Sequence, residues 1–238
     1  MAMFTDDLMR KHQKMEHNTS GIYLRQFIFG VEDGLIGGLG LITGVSVAAV
    51  SPSIILLSGV ALMLTQAVSM GAGTYLSIKS QGEYYERVLE QEKREMEEVP
   101  EIETEEVREI YRKHGFQGNA LKDIVKKITS NKKTWLSVMM AEEFGFTKKT
   151  VENPLIATLV MSLSVILGVF VPLIPHFFLT STPALTASII ATIAGLFVFG
   201  TAKSIYTKRS WLKSGLEMMA VGGLAALAGY LIGNLFAV

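Results

Sequence analysis

Five stretches of the chain, 27–50, 54–78, 155–178, 184–202 and 216–238, are apolar almost without interruption. A helix on the surface of a soluble domain keeps a polar stripe. Uniformly apolar runs of about 20 residues or more are instead what a bilayer core of ~30 Å requires of a crossing helix. Between the second and third runs the pattern reverses. Residues 82–153 hold sixteen of the twenty-two acidic residues and thirteen of the twenty-two basic ones. The pattern predicts an all-α membrane protein with five transmembrane helices and a polar helical domain inserted between spans two and three. It divides the chain into a basic amphipathic helix over 1–26, spans one and two over 27–81, the polar domain over 82–153 and spans three to five over 154–238. The first apolar run is too long for a signal peptide and contains Glu32 and Asp33, which such a peptide lacks.

Local punctuation refines the polar domain. No proline stands between Leu62 and Val99, so span two should continue as one helix out of the membrane and stop near Pro100. Further helices are expected over 103–114, 120–128 and 132–144. Gly115 and Gly145 are placed to close the first and last of these, and Asn131 or Ser130 to cap the last.

The formal charge of zero conceals this polarity of composition, and the balance gives no sign of nucleic-acid binding. There is no cysteine, so disulfides and thiolate sites are excluded. Positive charge marks the cytoplasmic side of short loops. Arg10, Lys11, Lys14 and Arg25 precede span one, and Lys203, Lys208, Arg209 and Lys213 join spans four and five. The connections 51–53 and 171–183 carry no Lys or Arg. The N-terminus and the polar domain are therefore expected in the cytosol and the C-terminus outside.

Candidate chemistry lies in two places. Asp33 is eight residues beyond Arg25, or ~12 Å into the membrane at 1.5 Å per residue. Met70 is nine residues before Lys79 on the antiparallel span, at ~13 Å by the same arithmetic. A carboxylate costs ~2.5–3.5 kcal/mol at bilayer depth on insertion scales and is seldom idle there. With a thioether at the same level it makes a mixed hard and soft site, suited to Fe(II) and related transition ions rather than Mg or Ca. Glu32 beside it either shares the pathway or snorkels to the interface, and Met70 alone would equally serve as packing. The glycines Gly30, Gly34, Gly38 and Gly40, Gly44 form small-residue ladders, open to self-association of span one or to packing within the chain.

In the polar domain, Glu92 and Glu95 share a helix face, as do Glu103 and Glu106, each pair able to bracket a cation. Met139 and Met140 stand four and three residues before Glu143. The bland alternative is a solvated face laced by ion pairs, with Glu83–Arg87, Glu90–Arg94 and Glu109–Lys113 in the favoured order. Glycine-rich phosphate loops, HExxH, GxSxG and the Glu-x-x-His of di-iron bundles are all missing, so no enzyme is expected.

Four segments together resemble one family. FGVEDGL at 29–35, AVSMGAGTYLSIKSQ at 67–81, EKREMEEVPEIETEEVREI at 92–110 and WLSVMMAEEFG at 135–145 are similar to the vacuolar iron transporter family of yeast, plants and prokaryotes. The resemblance runs from about His17 to the C-terminus. It implies a homodimer with five spans per subunit, a cytosolic metal-binding domain, and export of Fe(II) from the cytosol in exchange for protons. Fe(II) is then the substrate, with Co(II), Mn(II) and Zn(II) as further cargo, and no prosthetic group is implied. By the same resemblance Asp33 and Met70 match translocation residues, and Glu92, Glu95, Glu103, Glu106, Met139, Met140 and Glu143 match cytosolic metal ligands. Two positions depart from the family: Leu62 stands where it usually places a glutamate, and Glu32 where it tends to have a small residue. The expected membrane is the cell membrane in a prokaryote and the vacuolar membrane in a eukaryote. The alternative function is a membrane-anchored iron buffer or sensor without transport; a membrane ferroxidase would need the histidines that are missing.

Overall fold

The computed structural model describes residues 20–48, 51–146, 152–179, 181–208 and 210–237. Among them there are only helices and connecting turns. The long helices are α1 (Ser20–Val47), α2 (Pro52–Glu98), α6 (Pro154–Leu173), α8 (Ser181–Thr207) and α9 (Trp211–Leu235). The shorter α3 (Pro100–Lys113), α4 (Gly118–Thr129) and α5 (Lys132–Glu142) follow α2, and the single turn α7 (Pro175–Phe178) follows α6. Among the described residues five helices are long and apolar enough to cross a membrane: Tyr23–Val47, the apolar part of Pro52–Glu98, Pro154–Leu173, Thr182–Ser204 and Trp211–Leu235.

The expected helix over 1–26 lies largely outside the described residues. Residues 20–26 are the first turns of α1, continuous with the first span. The third apolar run does not stay helical to residue 178. Pro175 supplies no N–H to continue the ladder, and the chain turns after Leu173 into the separate turn α7. Helix α2, with 47 residues, is more than twice the length a bilayer core of ~30 Å demands. It ends at Glu98, two residues before Pro100, which starts α3 as its N1 residue.

Two compact units emerge, and α2 contributes to both. One comprises the chain up to Tyr75 together with Leu155–Val238, the other Leu76–Pro154. In the first, α1 is enclosed by its neighbours. Gly34 lies so close to α6 that an added Cβ would sit 2.6 Å from the Val165 carbonyl oxygen and 2.9 Å from the Gly168 Cα. Gly30 and Gly38 meet the same helix at Ser164 and Pro172. The second ladder is also used within the chain, since Gly40 and Gly44 face Gly229 of α9, and Gly233 faces Gly44. Close backbone approach of this kind is what small residues permit in apolar surroundings, where dispersion replaces the hydrophobic drive. Meanwhile Leu57, Leu64 and Val68 of α2 and Leu155, Leu159, Leu163 and Leu167 of α6 are exposed. Such stripes are a liability in water and ordinary against lipid.

The second unit has a core that a soluble protein would recognise. Met96, Val107, Leu121, Val125, Ile128, Trp135 and Met139 bury against one another, each fully buried side chain contributing ~1.5–3 kcal/mol. Asn131 caps α5, its side-chain oxygen accepting from the backbone N–H of Lys133 (3.0 Å) and Thr134 (3.1 Å). Gly115 and Gly145 follow α3 and α5 at φ +93° and +69°, a conformation that costs other residues a Cβ clash.

Candidate functional site

Within the unit that holds α1, Asp33 is partly buried and turned toward α2. Gln66 Nε2 donates a hydrogen bond to Asp33 Oδ2. Gly37, one turn along α1, lies against the same amide, its hypothetical Cβ 3.4 Å from Nε2 and 3.7 Å from Oε1. No side chain therefore intervenes between α1 and the amide at this level. Gln66 Oε1 is buried and has no hydrogen-bond partner, and an unmade buried acceptor costs about 1–3 kcal/mol. Met70, one turn further along α2, is half-buried and packs against the cluster of Ala67, Met161, Val165 and Val169. Leu62, one turn earlier, borders the same cluster.

Glu32 turns elsewhere. Its Oε2 lies 3.9 Å from Lys203 Nζ of α8, both side chains about a third exposed. The two neighbouring acids of α1 thus have different partners, one a cation and the other a neutral amide. Sequence reasoning passed over Gln66. The signal was available, because it is the only amide or charged side chain in 54–78 and an idle amide among apolar spans is uncommon.

In the unit Leu76–Pro154 two sets of carboxylates stand out. Five outer ones are paired: Glu83 with Lys79 (3.7 Å), Glu105 with Arg108 and Arg112, Glu109 with Arg112 (2.9 Å), Glu97 with Lys132 (3.1 Å) and Glu142 with His114 (3.5 Å), whereas the expected Glu90–Arg94 pair is not formed. The pairing register differs from the expected one at Glu83 and Glu109. Arg87 instead stacks over Tyr84, with 5.1 Å to the ring centroid, and Arg112 is nearer to Glu109 than the expected Lys113 is in sequence. Glu92, Glu95, Glu103, Glu106 and Glu143 face one another. Among the described residues none of these five takes part in an ion pair.

Glu92 on α2 and Glu103 on α3 are buried, at 2% and 3% exposure, and hydrogen-bonded to each other. Burial comes first and the Glu103 carboxylate second in pushing Glu92 up to about 8. Burial also raises Glu103, although accepting the Glu92 hydrogen bond opposes the rise. Both carboxyls of the pair are thus raised, with burial as the leading cause in each. Glu143 is more exposed; partial desolvation and then the carboxylates of Glu106, Glu103 and Glu95 raise it. Glu92 Oε1 and Glu103 Oε2 are buried without partners. Two buried like charges in contact cannot both ionise cheaply, so burial and repulsion together favour the protonated form of the pair. As they stand, among the described residues, no three carboxylates or imidazoles converge closely enough to hold one ion.

The methionines occupy different surroundings. Met139 is wholly buried in the core with Trp135. Met140, 3% exposed, lines a cavity of ~870 Å³ with Tyr85, Leu89, Leu136 and Phe146. Of the histidines, His114 pairs with Glu142. His176 is buried between Ser46 (3.3 Å) and Ser188 (3.2 Å), which lie on α1 and α8. His12 and His17 lie outside the described residues.

A family model described as the VIT family matches residues 24–234, from the start of α1 to the end of α9. The chain belongs to the VIT family. Among its curated relatives, "Vacuolar iron transporter 1" of Arabidopsis thaliana is 34% identical over 92% of this chain and 88% of its own. "Vacuolar iron transporter" of Centaurea cyanus is 35% identical over 94% of this chain and 91% of its own. A protozoan relative, "Vacuolar iron transporter" of Plasmodium falciparum, is 27% identical over 91% and 83%. The family match extends through all five apolar helices and the polar unit between them.

Proposed function

We propose that this protein is an iron transporter that moves Fe(II), together with Co(II), Mn(II) and Zn(II), out of the cytosol in exchange for protons, working as a homodimer. The named function of its relatives supports the cargo. The observation that carries the mechanism is the sorting of the carboxylates. Five acids in the polar unit face one another without an ion pair, and burial raises Glu92 and Glu103, each of which also has a buried, unpartnered oxygen. Such a group trades its proton for a divalent ion, with Met139 and Met140 as further donors. The polar unit is the cytosolic capture domain, consistent with the basic residues Arg25, Lys203, Lys208 and Lys213 that flank the spans on one side.

Passage then falls to Asp33 and Met70 among the spans. The ion replaces a proton at the Asp33 carboxylate and is released on the far side, where acid favours the return of the proton. The membrane is the vacuolar one in a eukaryote and the cell membrane in a prokaryote. Uptake of Fe(II) into sealed inside-out vesicles tests this reading. Accumulation should be faster when the interior is acidic. Uptake no greater than in vesicles lacking the protein would overturn it and favour a membrane-anchored buffer.

A further inference from the structure

We propose that Gln66 is a third ligand of the membrane site, presenting its side-chain carbonyl oxygen to a divalent transition ion beside the Asp33 carboxylate and the Met70 thioether. The inference rests on the role given to Asp33 under the proposed function. Gln66 already touches Asp33 through Nε2, while its Oε1 is enclosed and makes no hydrogen bond. Rotation about the last side-chain bond exchanges the two ends of the amide, so the same residue can donate to a bare carboxylate or offer oxygen to an ion held by it. Gly37 leaves the opposite wall free of a side chain.

The neighbours on α2 sharpen the assignment. Leu62, one turn earlier, offers only hydrocarbon. Thr65 is exposed, and its hydroxyl donates along its own helix to the Ala61 carbonyl at 2.7 Å. Glu32 answers to Lys203. Gln66 is therefore the oxygen donor that α2 brings to Asp33, and it stands one turn from Met70 on the same helix. An amide oxygen is hard and a thioether soft, so the two should pull metal preference in opposite directions.

The test uses the full chain in detergent, with Glu92, Glu95, Glu103 and Glu106 changed to glutamine so that the membrane site alone is read. Equilibrium binding of Mn(II) and of Fe(II) under anaerobic conditions is measured, with thermal unfolding as the control for folding. Gln66→Leu should weaken Mn(II) binding on the order of tenfold or more, the scale at which even outer contacts of a metal site act. Fe(II) binding should weaken less, because Met70 remains. Met70→Leu should show the reverse preference. Equal weakening of both ions by Gln66→Leu would make Gln66 a donor that merely holds Asp33, and would overturn the proposal, as would unchanged binding. Should the leucine variant unfold, Gln66→Asn keeps an amide and withdraws its oxygen from Asp33, and the same shift in preference is expected; unshifted preference would again overturn it. Asp33→Asn separates the two levels of inference. If it binds as the parent does, the proposed function itself fails; if it loses binding while Gln66→Leu does not, only the role of Gln66 fails.

Discussion

The acids of the polar unit and the acid among the spans are held in opposite ways. Glu92 and Glu103 sit in a group of like charges where burial and mutual repulsion keep a proton in place. Asp33 has the neutral amide of Gln66 as its partner, while adjacent Glu32 is drawn to Lys203. Crowded carboxylates gain much from a cation and hold it firmly. A single carboxylate with a neutral partner offers fewer donors and releases its ion more readily. Under the proposed function the difference corresponds to a division of labour, capture in the polar unit and passage at Asp33, since conduction requires binding strong enough to enter and weak enough to leave.

The sharpest way to break this comparison is at Asp33. Asp33→Asn keeps the size of the side chain and removes its charge, so Fe(II) flux should fall about a hundredfold or more, ~2.8 kcal/mol at ~1.4 kcal/mol per decade. Binding of Zn(II) by the polar unit should stay as it is. Full transport by this variant would contradict the pathway.

The capture group should reveal itself through pH. A carboxyl raised to about 8 in the folded unit, against an ordinary value of ~4.3, keeps its proton where the unfolded chain has lost it. Stability of the metal-free unit should therefore fall as pH rises from about 5 to 8, and affinity for Zn(II) should climb over the same window. The slope should approach about tenfold per pH unit for one displaced proton. Glu92→Gln should flatten both curves, and a titration that stays steep in that variant would assign the proton elsewhere.

Met70→Leu removes the thioether and keeps the packing against Met161 and Val165. Fe(II) flux should drop about threefold and Mn(II) flux less, because oxygen ligands suit the harder ion. The smallest effect is expected at Glu32. With Lys203 opposite, Glu32→Gln should leave the dependence of iron flux on the pH gradient unchanged. Uncoupled flux would mean that Glu32 has taken over the work of the carboxylate missing at Leu62.

The spans and the helices of the polar unit were legible because their causes are local. Uninterrupted apolar runs, Pro100, Asn131, Gly115 and Gly145 each act within a turn or two of chain. Pro175 was as local a signal, and the break after Leu173 falls within the expected connection 171–183, although the apolar run itself extends to 178. The partners of the acids were not legible, because they depend on which helices meet. Nothing in spacing says that Gly34 will press against Val165 of α6, or that Glu32 will face α8 while Asp33 faces α2. The ladders of small residues could be read but not their partner, which proves to be α6 and α9 of the same chain. The favoured ion-pair order failed at Glu83 because Lys79, one turn earlier on the same continuous helix, is the nearer cation.

Whether capture and passage are separate is decided most directly by the initial rate of Fe(II) uptake measured against Fe(II) concentration in proteoliposomes with an acidic interior. The parent is compared with the variant in which Glu92, Glu95, Glu103 and Glu106 are alanine. The half-saturating concentration should rise about tenfold, in line with the loss of a set of charged ligands, while the maximal rate stays close to that of the parent. A collapse of the maximal rate at unchanged half-saturation would contradict the account, because the polar unit would then belong to the passage step itself.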